Sequence, residues 1–575
     1  MTQDKLDNQP MEFNWKIAGK AGEGVMVVSK MLAKICKRHG LNAFNYLEYP
    51  SLIKGGHQTG QVYASSGEAR CQKKNLDVLV TLGPAGFDEH AVEITPETVI
   101  VYNLDAGKLD KETETGSRVF ELPFISLAKE ATGSSFSSNI GILGATAYLL
   151  GLDRSLAEAV IRDEFKGKPE KIVDDNIKTF NLVFEKAGQF GQPIRQISKT
   201  ADTKILVTGN EAVGLGALAA GVQFYSAYPM TPATALLHFL AAQQDNYPLV
   251  VKHAEDEIGA INHALGASFA GVRSMTGTSG GGFALMVEAL SLASLAEIPL
   301  VILEAQRKGP ATGLPTWTEQ ADLSFMLTAG HGDTQQVVFT PGTIEEHFEL
   351  TKQAFYLAEK YQVPVIILSD KFILESHSTL DKPEDMGAVE YQSEVGDLST
   401  DGSYRRYKIT SDGISPRSIP GQVGGLQLTN SYEHDEFGFA TEDAGQTTEQ
   451  VEKRARKFEK LKLEMPKPYL IGPDKAEVTL VGWGSTISVL KQFVQNDSKV
   501  NAICLPAVWP FPVDEFIGLA EGAKKLVMVE GNQSGQCQKL IKQETGIEMA
   551  DHVRRYDGRP FYTEDLEKWL KKKEK

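Results

Sequence analysis

The sequence predicts an α/β protein of three domains, each built on a mostly parallel sheet that is covered by helices. Short apolar segments rich in Val, Ile and Leu alternate with longer segments that have apolar residues at helical spacing. Gly-rich and polar turns follow the apolar segments directly, as at the strand-to-helix connections of parallel sheets. A length of 575 residues and a hydrophobic content of 42% are enough for several buried cores.

The first predicted domain covers residues 1–190. Its first strand, Phe13–Ala18, leads into the turn GKAGEG and a helix. The turn has the pattern GxxGxG and not the GxGxxG of dinucleotide-binding folds, so we expect a tight turn without a nicotinamide site. In the later Gly-rich loop EYPSLIKGGHQTG, Lys54 and His57 are candidates for contact with a negatively charged ligand, and the alternative is a solvated turn.

The second predicted domain covers residues 203–380. The stretch 166–200 before it is charged and polar, which is typical of a linker, and we place the linker at 191–202. Within the domain, polar or Gly-rich segments follow each predicted strand. Because open α/β sheets bind ligands at the carboxyl ends of their strands, we expect these segments to meet at one edge of the sheet. The residues concerned are Thr231, Glu257, Thr278, Ser279, Gly280 and Arg307.

Three consecutive acids, Glu255, Asp256 and Glu257, stand at the predicted start of the helix that reaches about Ala270. The helix dipole favours negative charge in the first turn, so capping and a solvated face would explain them without a function. From their position alone, these acids are either caps on a solvated face or include a functional carboxylate.

The rest of the chain divides into a connection and a third domain. Residues 381–468 contain few periodic apolar segments and are expected to form a long arm, a candidate for crossing onto another subunit, with a charged helix near its end at 448–464. Residues 469–575 have three apolar segments, each followed by a polar turn, and predict a small third α/β domain.

Composition and charge exclude several function classes. The net charge of −16 argues against nucleic acid or an anionic membrane as the main partner. There is no run of 18 apolar residues and no signal-peptide pattern at the start, so we expect a cytoplasmic protein. The four cysteines, Cys36, Cys71, Cys504 and Cys537, are far apart and without a CxxC, and we expect buried free thiols and no metal site.

Several motifs together resemble those of the 2-oxoacid:ferredoxin oxidoreductases. YPMTPAT (228–234), AEDEIGAINHALGASFAG (254–271), TGTSGGGF (276–283) and QRKGPATGLPTWTEQAD (306–322) are similar to that family's pyrimidine-binding domain. VGWGST (481–486), WPFP (509–512) and VEGNQSGQ (529–536) resemble its transketolase C-terminal-type domain, and GKAGEGV and IKGGHQTG resemble its gamma domain. The gamma-before-alpha order and the 306–316 motif look most like alpha subunits that act on 2-oxoglutarate.

The resemblance implies thiamine diphosphate chemistry. A 2-oxoacid would be decarboxylated, electrons would leave through an iron–sulfur cluster to ferredoxin, and the acyl group would pass to coenzyme A, with carbon dioxide fixed in the reverse direction. No GDG…N motif for a diphosphate–Mg²⁺ site and no set of cluster cysteines is found in this sequence. The resemblance therefore implies a beta subunit that carries Mg²⁺ and a [4Fe-4S] cluster, an α2β2 assembly, and a chain that is inactive alone.

The resemblance also implies residue roles. Glu257 is the preferred acid for activating the cofactor through its aminopyrimidine, because Ala260, Ala264 and Gly266 follow it at the spacing of related thiamine enzymes, and Glu255 fits less well. Arg307 is the expected clamp for the substrate's 1-carboxylate. The other expected contacts are Thr231 with the substrate, Tyr228, Pro229, Thr278, Ser279 and Gly280 with the cofactor, and Lys54 and His57 with the far carboxylate of a dicarboxylate substrate.

The sequence also bears on three other functions. A related enzyme for pyruvate or branched-chain 2-oxoacids remains open, because pocket residues can come from the beta subunit. A non-catalytic scaffold subunit would have no need for Glu257 and Arg307. A nicotinamide dehydrogenase is disfavoured by the missing GxGxxG and its partner acid.

Overall fold

The fold is described from a computed structural model, for residues 11–51, 56–109, 117–382, 398, 400–495 and 497–573. The chain divides into two compact units. The first unit comprises Met1–Thr208, Ser376–Pro383 and Tyr562–Lys575, and the second comprises Gly209–Glu375 and Glu384–Phe561.

Helices and strands alternate along most of the chain. The segment up to residue 208 contains β1 (Glu12–Lys20), α1 (Val25–Arg38), β2 (Asn42–Glu48), β3 (His57–Ser65), β4 (Val78–Thr81), α2 (Pro84–His90), β5 (Val99–Asn103), β6 (Arg118–Leu122), α3 (Phe124–Thr132), α4 (Ser138–Leu149), α5 (Arg154–Glu164), α6 (Glu170–Ala187) and β7 (Lys204–Thr208). The next segment contains α7 (Gly209–Ala219), β8 (Phe224–Ala227), α8 (Thr234–Ala241), β9 (Val250–His253), α9 (Glu257–Phe269), β10 (Ser274–Thr278), α10 (Gly280–Phe283), α11 (Val287–Leu295), β11 (Leu300–Gln306), α12 (Leu323–Thr328), β12 (Val337–Phe339), α13 (Ile344–Tyr361), β13 (Pro364–Asp370), α14 (Lys371–Glu375) and β14 (His377–Asp381). The last segment contains α15 (Ala444–Lys462), β15 (Tyr469–Ile471), β16 (Val478–Trp483), α16 (Thr486–Val494), β17 (Val500–Leu505), β18 (Ala507–Trp509), α17 (Val513–Ala520), β19 (Leu526–Glu530), α18 (Gln536–Thr545), β20 (Asp551–Arg554) and α19 (Thr563–Lys573).

The first unit is built on an eight-stranded sheet in the order β6-β5-β4-β1-β3-β2-β14-β7. The strands from β6 to β1 are parallel, whereas β3, β2, β14 and β7 continue the sheet in antiparallel pairs. Its core includes Trp15, Met31 and Phe180, all buried. The predicted α/β class, with helices covering the sheets, is confirmed here and in the second unit.

The second unit contains two sheets that share one core. The seven-stranded sheet has the order β18-β12-β13-β11-β10-β8-β9 and is parallel apart from β18, which pairs antiparallel with β12. The five-stranded sheet has the order β15-β17-β16-β19-β20. Because β18 belongs to the predicted third domain and β12 to the second, the hydrogen bonds of one sheet join these two domains. Buried residues of both, such as Phe283 and Trp483, belong to the same hydrophobic cluster.

Two expectations for chain organisation differ from the structure. The interpretation of 166–200 as linker is wrong over Glu170–Ala187, which is the amphipathic helix α6 and buries Ile177, Phe180 and Val183 at helical spacing. In addition, β7 and β14 lie inside the predicted second domain but pair with each other in the sheet of the first unit. Strand pairing of this kind leaves no trace in the local apolar pattern. In the described part of the chain, every helix is too short or too polar to cross a bilayer.

The described part of the predicted arm, from residue 400 onwards, packs on its own unit through a buried cluster of charges. Glu297 is fully buried and binds Lys453 at 2.6 Å and Lys457 at 2.5 Å, both from α15. Arg406 donates a hydrogen bond of 2.8 Å to the Glu297 carbonyl oxygen. Burial alone would raise the pKa of Glu297, but the charges of the two lysines hold it below the usual range.

Replacing Glu297 by glutamine is expected to destabilise the second unit by ~3–5 kcal/mol, because the change leaves buried cations without a counterion. Burial lowers the pKa of Lys453 to about 8 even with Glu297 present. A lysine whose folded-state pKa is lowered destabilises the fold at neutral pH, and that cost disappears as pH rises through the folded and then the unfolded pKa. The loss in Glu297→Gln should therefore shrink at alkaline pH. Urea unfolding at several pH values measures the free energy of unfolding, with the exposed Glu288→Gln as control. Equal stability of the two variants would contradict the predicted loss.

Candidate active site

The carboxyl ends of β9, β8, β10 and β11 lie side by side at one edge of the seven-stranded sheet, since these strands are adjacent and parallel. Thr231 lies in the loop after β8, and Glu257 follows β9. Thr278 ends β10, and Arg307 follows β11. The structure thus brings together the residues that the sequence places after these strands.

The three consecutive acids have different surroundings. Asp256 is the N-cap of α9, and its side chain accepts a hydrogen bond of 2.6 Å from the Gly259 amide. Glu255 is exposed. Glu257 is the first residue of the helix and is 4% exposed. Capping therefore explains Asp256 but gives no reason for the burial of Glu257.

The carboxyl group of Glu257 lies beneath the Gly-rich turn after β10. A Cβ atom at Gly282 would come within 2.6 Å of Glu257 Oε1 and still closer to Thr278 Oγ1, so the glycine backbone lies directly on both groups. Glu257 Oε1 and the hydroxyl of Ser279 are buried, and neither has a hydrogen-bond partner among the described residues. A buried polar atom without a partner costs ~1–3 kcal/mol, so this pair fits a ligand that brings its own hydrogen-bonding groups.

Arg307 lies beside the loop after β8. Its Nη1 donates a hydrogen bond of 2.9 Å to the carbonyl oxygen of Thr231, which holds the guanidinium at the edge of the sheet. Burial lowers the pKa of Arg307, and the negative charges of Asp322 and Glu304 oppose that shift. The guanidinium is half-buried, a setting in which it can bind a carboxylate through two parallel hydrogen bonds.

Two further acids at this edge, Glu304 and Asp322, were not singled out from the sequence. Glu304 lies in β11, paired in register with Thr278, and is fully buried. Asp322 lies against Gly280, where a Cβ atom would be 2.6 Å from its Oδ2. A glutamate inside the apolar strand LVILEAQ was the available signal, since charged residues are rarely buried without a partner.

The remaining predicted contacts differ in their placement. Tyr228 is 40% exposed and Pro229 is half-buried at the end of β8, where both are accessible to a ligand at the edge. His57 lies in the first unit as the first residue of β3, and its Nε2 is 2.9 Å from His90 Nε2 and 3.4 Å from Glu89. Burial lowers the pKa of His57, and the charge of Glu89 opposes the shift. Lys54 lies outside the described residues.

Comparison with known proteins gives a consistent family. The family described as pyruvate flavodoxin/ferredoxin oxidoreductase, thiamine diP-bdg, matches residues 215–453, and pyruvate ferredoxin/flavodoxin oxidoreductase matches residues 14–186. The 2-oxoacid:ferredoxin oxidoreductase subunit alpha of Sulfolobus sp is 31% identical over 97% of this chain and 96% of its own length. The 2-oxoglutarate synthase subunit KorA of Methanothermobacter marburgensis is 32% identical over 59% of this chain and 91% of its own length.

A solved structure is similar over nearly the whole chain. It is the 2-oxoglutarate:ferredoxin oxidoreductase from Magnetococcus marinus with 2-oxoglutarate, coenzyme A and succinyl-CoA bound. The two structures superpose with a TM-score of 0.93 and 31% sequence identity, covering 99% of this chain and 100% of the other. The resemblance seen in the motifs is therefore confirmed, and this chain belongs to the 2-oxoacid:ferredoxin oxidoreductase family, among its alpha subunits.

Proposed function

We propose that this chain is the alpha subunit of a thiamine-diphosphate-dependent enzyme that converts 2-oxoglutarate, coenzyme A and oxidised ferredoxin into succinyl-CoA, carbon dioxide and reduced ferredoxin, reversibly. The observation that carries the proposal is the buried oxygen of Glu257, without a partner among the described residues, at the same sheet edge as Arg307. A scaffold subunit would gain nothing from such a costly arrangement.

The donor set fits the aminopyrimidine of thiamine. Glu257 would share a proton with a ring nitrogen through Oε1, and Ser279 would supply a hydroxyl. Tyr228, Pro229, Thr278 and Gly280 would line the same site. Bound thiamine diphosphate supplies the carbon nucleophile that makes loss of carbon dioxide from a 2-oxoacid possible. The contribution of Glu257 is to hold a proton at a buried carboxyl oxygen beside the ring, which is general acid–base catalysis.

Arg307 and Thr231 would position the substrate. The guanidinium is anchored by one nitrogen on the Thr231 carbonyl oxygen, and the remaining donors of its fork can hold the 1-carboxylate. Holding that carboxylate fixes the reacting carbon, which supports catalysis through orientation. All 2-oxoacids share this carboxylate, so Arg307 gives affinity for the class and not for one member.

The metal, the diphosphate site and the electron-transfer cluster belong, in this proposal, to another subunit. We propose that a beta subunit carries Mg²⁺, the diphosphate site and the [4Fe-4S] cluster, in a cytoplasmic α2β2 assembly that passes electrons to ferredoxin. The cysteines of this chain support that division, because Cys36, Cys71, Cys504 and Cys537 are all buried and free, and burial raises the pKa of each thiol. A buried thiol that keeps its proton is a poor cluster ligand.

The choice of 2-oxoglutarate is supported by the substrates in the names of the Magnetococcus marinus enzyme and the KorA relatives. Pyruvate or a branched-chain 2-oxoacid is the alternative. The test is to co-express the chain with the product of its neighbouring reading frame and to measure viologen reduction with each 2-oxoacid and coenzyme A. The pair should be most active with 2-oxoglutarate. Turnover by this chain alone would refute the two-subunit proposal, and no turnover of any 2-oxoacid by the pair would refute the reaction.

A cation for the far carboxylate is the remaining expectation, and Lys54 is its candidate. Lys54→Ala should raise KM for 2-oxoglutarate roughly tenfold, equivalent to ~1.4 kcal/mol for one charge-assisted hydrogen bond, and leave KM for pyruvate or 2-oxobutyrate unchanged. The exposed Lys20→Ala in the same unit controls for the loss of one positive charge. Equal changes for mono- and dicarboxylate substrates would rule out this role.

A further inference from the structure

Gln320 is a buried glutamine whose side chain and backbone are both hydrogen-bonded to the third predicted domain. It is 2% exposed and lies between Arg307 and α12 in sequence. Its side-chain oxygen accepts a hydrogen bond of 2.8 Å from the Gly531 amide, and its side-chain nitrogen donates one of 2.7 Å to the Trp483 carbonyl oxygen. Its backbone amide donates to the Gly531 carbonyl oxygen at 2.8 Å, and its carbonyl oxygen accepts from the Asn532 side chain at 2.9 Å. The third predicted domain, which belongs to the same compact unit, therefore holds this residue at four points.

Two neighbours of this glutamine hold the segment at the end of β11. Oε2 of the buried Glu319 accepts a hydrogen bond of 3.2 Å from the amide of Gly309. The amide of Asp322 donates one of 3.0 Å to the side-chain oxygen of Gln306. Because Gln306 and Gly309 flank Arg307 in sequence, these contacts restrain the chain on both sides of the arginine.

Trp317 makes a second link of the same kind. Its carbonyl oxygen accepts a hydrogen bond of 3.0 Å from the amide of Lys308. On the other side, the guanidinium carbon of Arg559 lies 3.2 Å from the centroid of the Trp317 ring, a stacked cation–π contact. Residues 317–322 therefore lie between the segment 306–309 and the third predicted domain, with contacts to each.

We propose that Gln320 is a positioning residue for Arg307. Gln320 fixes residues 317–322 to the third predicted domain, and those residues hold the backbone around Arg307, so that its guanidinium is kept at the Thr231 carbonyl oxygen. The contact of Arg307 with a substrate carboxylate rests on the proposed function, whereas the anchoring of the segment does not. In this proposal Gln320 acts on the substrate only through Arg307.

The sequence motifs VGWGST and VEGNQSGQ shape the surroundings of this amide. A Cβ atom at Gly484 would lie 2.8 Å from Gln320 Nε2, and one at Gly531 would lie 3.1 Å from its Oε1, so glycine backbone approaches both atoms closely. Glutamine presents a donor and an acceptor at one end of its side chain. Methionine has a similar length and an adaptable shape but only a weak acceptor, so Gln320→Met removes the side-chain hydrogen bonds without emptying the space.

The first test is independent of activity. Hydrogen–deuterium exchange of the full-length chain, followed by mass spectrometry of peptides covering residues 306–317, should be about tenfold faster in Gln320→Met, because two lost hydrogen bonds make local opening easier. Gln450→Met is the matched control, since Gln450 is 1% exposed and its side-chain nitrogen donates to the Tyr407 carbonyl oxygen at 2.9 Å, within the arm. It should leave the exchange of those peptides unchanged. Unchanged exchange in Gln320→Met, or an equal rise in the control, would overturn the anchoring.

Gln536 provides a milder second variant on the opposite side of the same contact. It is half-buried, and its side chain accepts a hydrogen bond of 2.8 Å from the Ser324 amide and donates one of 2.6 Å to the Ala321 carbonyl oxygen. Gln536→Ala should accelerate exchange over residues 306–317 by a smaller factor than Gln320→Met. If Gln320→Met does not fold, unchanged exchange in Gln536→Ala overturns the anchoring.

The second test uses the co-expressed complex. Gln320→Met should raise KM for every 2-oxoacid about tenfold with little change in kcat, because a displaced guanidinium binds the shared 1-carboxylate less well. Partial unfolding alone would lower kcat per chain and leave KM unchanged. A loss of kcat without a rise in KM would therefore overturn the positioning role.

A double-mutant cycle decides whether Gln320 acts through Arg307. In an Arg307→Ala background, Gln320→Met should change kcat/KM by less than about twofold, because the group that it positions is already absent. Effects of the two substitutions that multiply would overturn the positioning role. If the wild-type complex turned over no 2-oxoacid, the proposed function would fail, and the exchange measurement would still decide whether Gln320 anchors the segment.

Discussion

Replacing Glu257 by glutamine is expected to lower kcat of the complex about a thousandfold, within the range of 10²–10⁴ that positioned acid–base groups contribute. Glutamine has nearly the same shape as glutamate but cannot accept and return a proton at the buried Oε1 position. The fold should remain intact, because a helix start that loses one charge loses only ~0.5 kcal/mol. Viologen reduction measures kcat, and calorimetric titration with thiamine diphosphate measures whether the cofactor still binds.

The chain provides a matched control for this experiment. Glu255→Gln removes the same charge two residues earlier, from an exposed position. Its kcat should stay within a factor of about two of wild type, since surface substitutions away from special features change little. A Glu257→Gln enzyme with more than a tenth of wild-type kcat, or a Glu255→Gln enzyme as impaired as the Glu257 variant, would remove Glu257 from its proposed role.

Arg307→Ala is expected to lower kcat/KM by roughly a hundredfold, equivalent to ~3 kcal/mol, for 2-oxoglutarate, pyruvate and 2-oxobutyrate alike. The loss should be uniform because every 2-oxoacid presents the same 1-carboxylate. Arg307→Lys retains the charge but not the planar fork, so it should recover only part of the loss. Initial rates at varied concentrations of each 2-oxoacid give the three ratios.

The neighbouring cation controls for charge alone. Lys308 follows Arg307 directly, but its amino group is engaged with Glu319. Lys308→Gln removes one positive charge from the same loop and should leave kcat/KM within a few-fold of wild type. If it matched Arg307→Ala, the general potential of the loop and not a specific contact would explain both results.

The sequence predicts which strands end at the site, but not which of the three acids after β9 faces the interior. Each of the three acids was a plausible helix start. In the structure, Asp256 adopts an extended conformation with φ of −153° and is the cap, so Glu257 is the first helical residue. Consecutive residues of a helix point in directions about 100° apart, and only the packing of α9 decides which direction is buried. The identity of the buried acid therefore depends on tertiary contacts, which a local sequence pattern does not contain.

Burial that only the folded structure shows explains the other differences. Glu304 appeared as one acidic residue in an apolar strand, and the sequence does not show that its carboxyl oxygens are buried without a hydrogen-bond partner among the described residues. Helix α6 was missed because its exposed face is highly charged and hides a narrow apolar stripe. In both cases a local pattern was present, namely one acid in an apolar strand and apolar residues at helical spacing, but which residues are buried is decided by packing against the rest of the chain.

The pairing of β18 with β12 has a consequence for how the chain matures during synthesis. Phe339 faces Ala507 and Val338 faces Trp509 across this pair. The outer side of β12 therefore obtains its hydrogen-bonding partner from residues that are synthesised much later. Until residues 507–509 have been synthesised and have left the ribosome, the unpaired N–H and C=O groups on that side of β12 can form hydrogen bonds with any other strand. Nascent chains on neighbouring ribosomes carry the same open edge, so chaperones that delay collapse would favour the native partner over intermolecular aggregation.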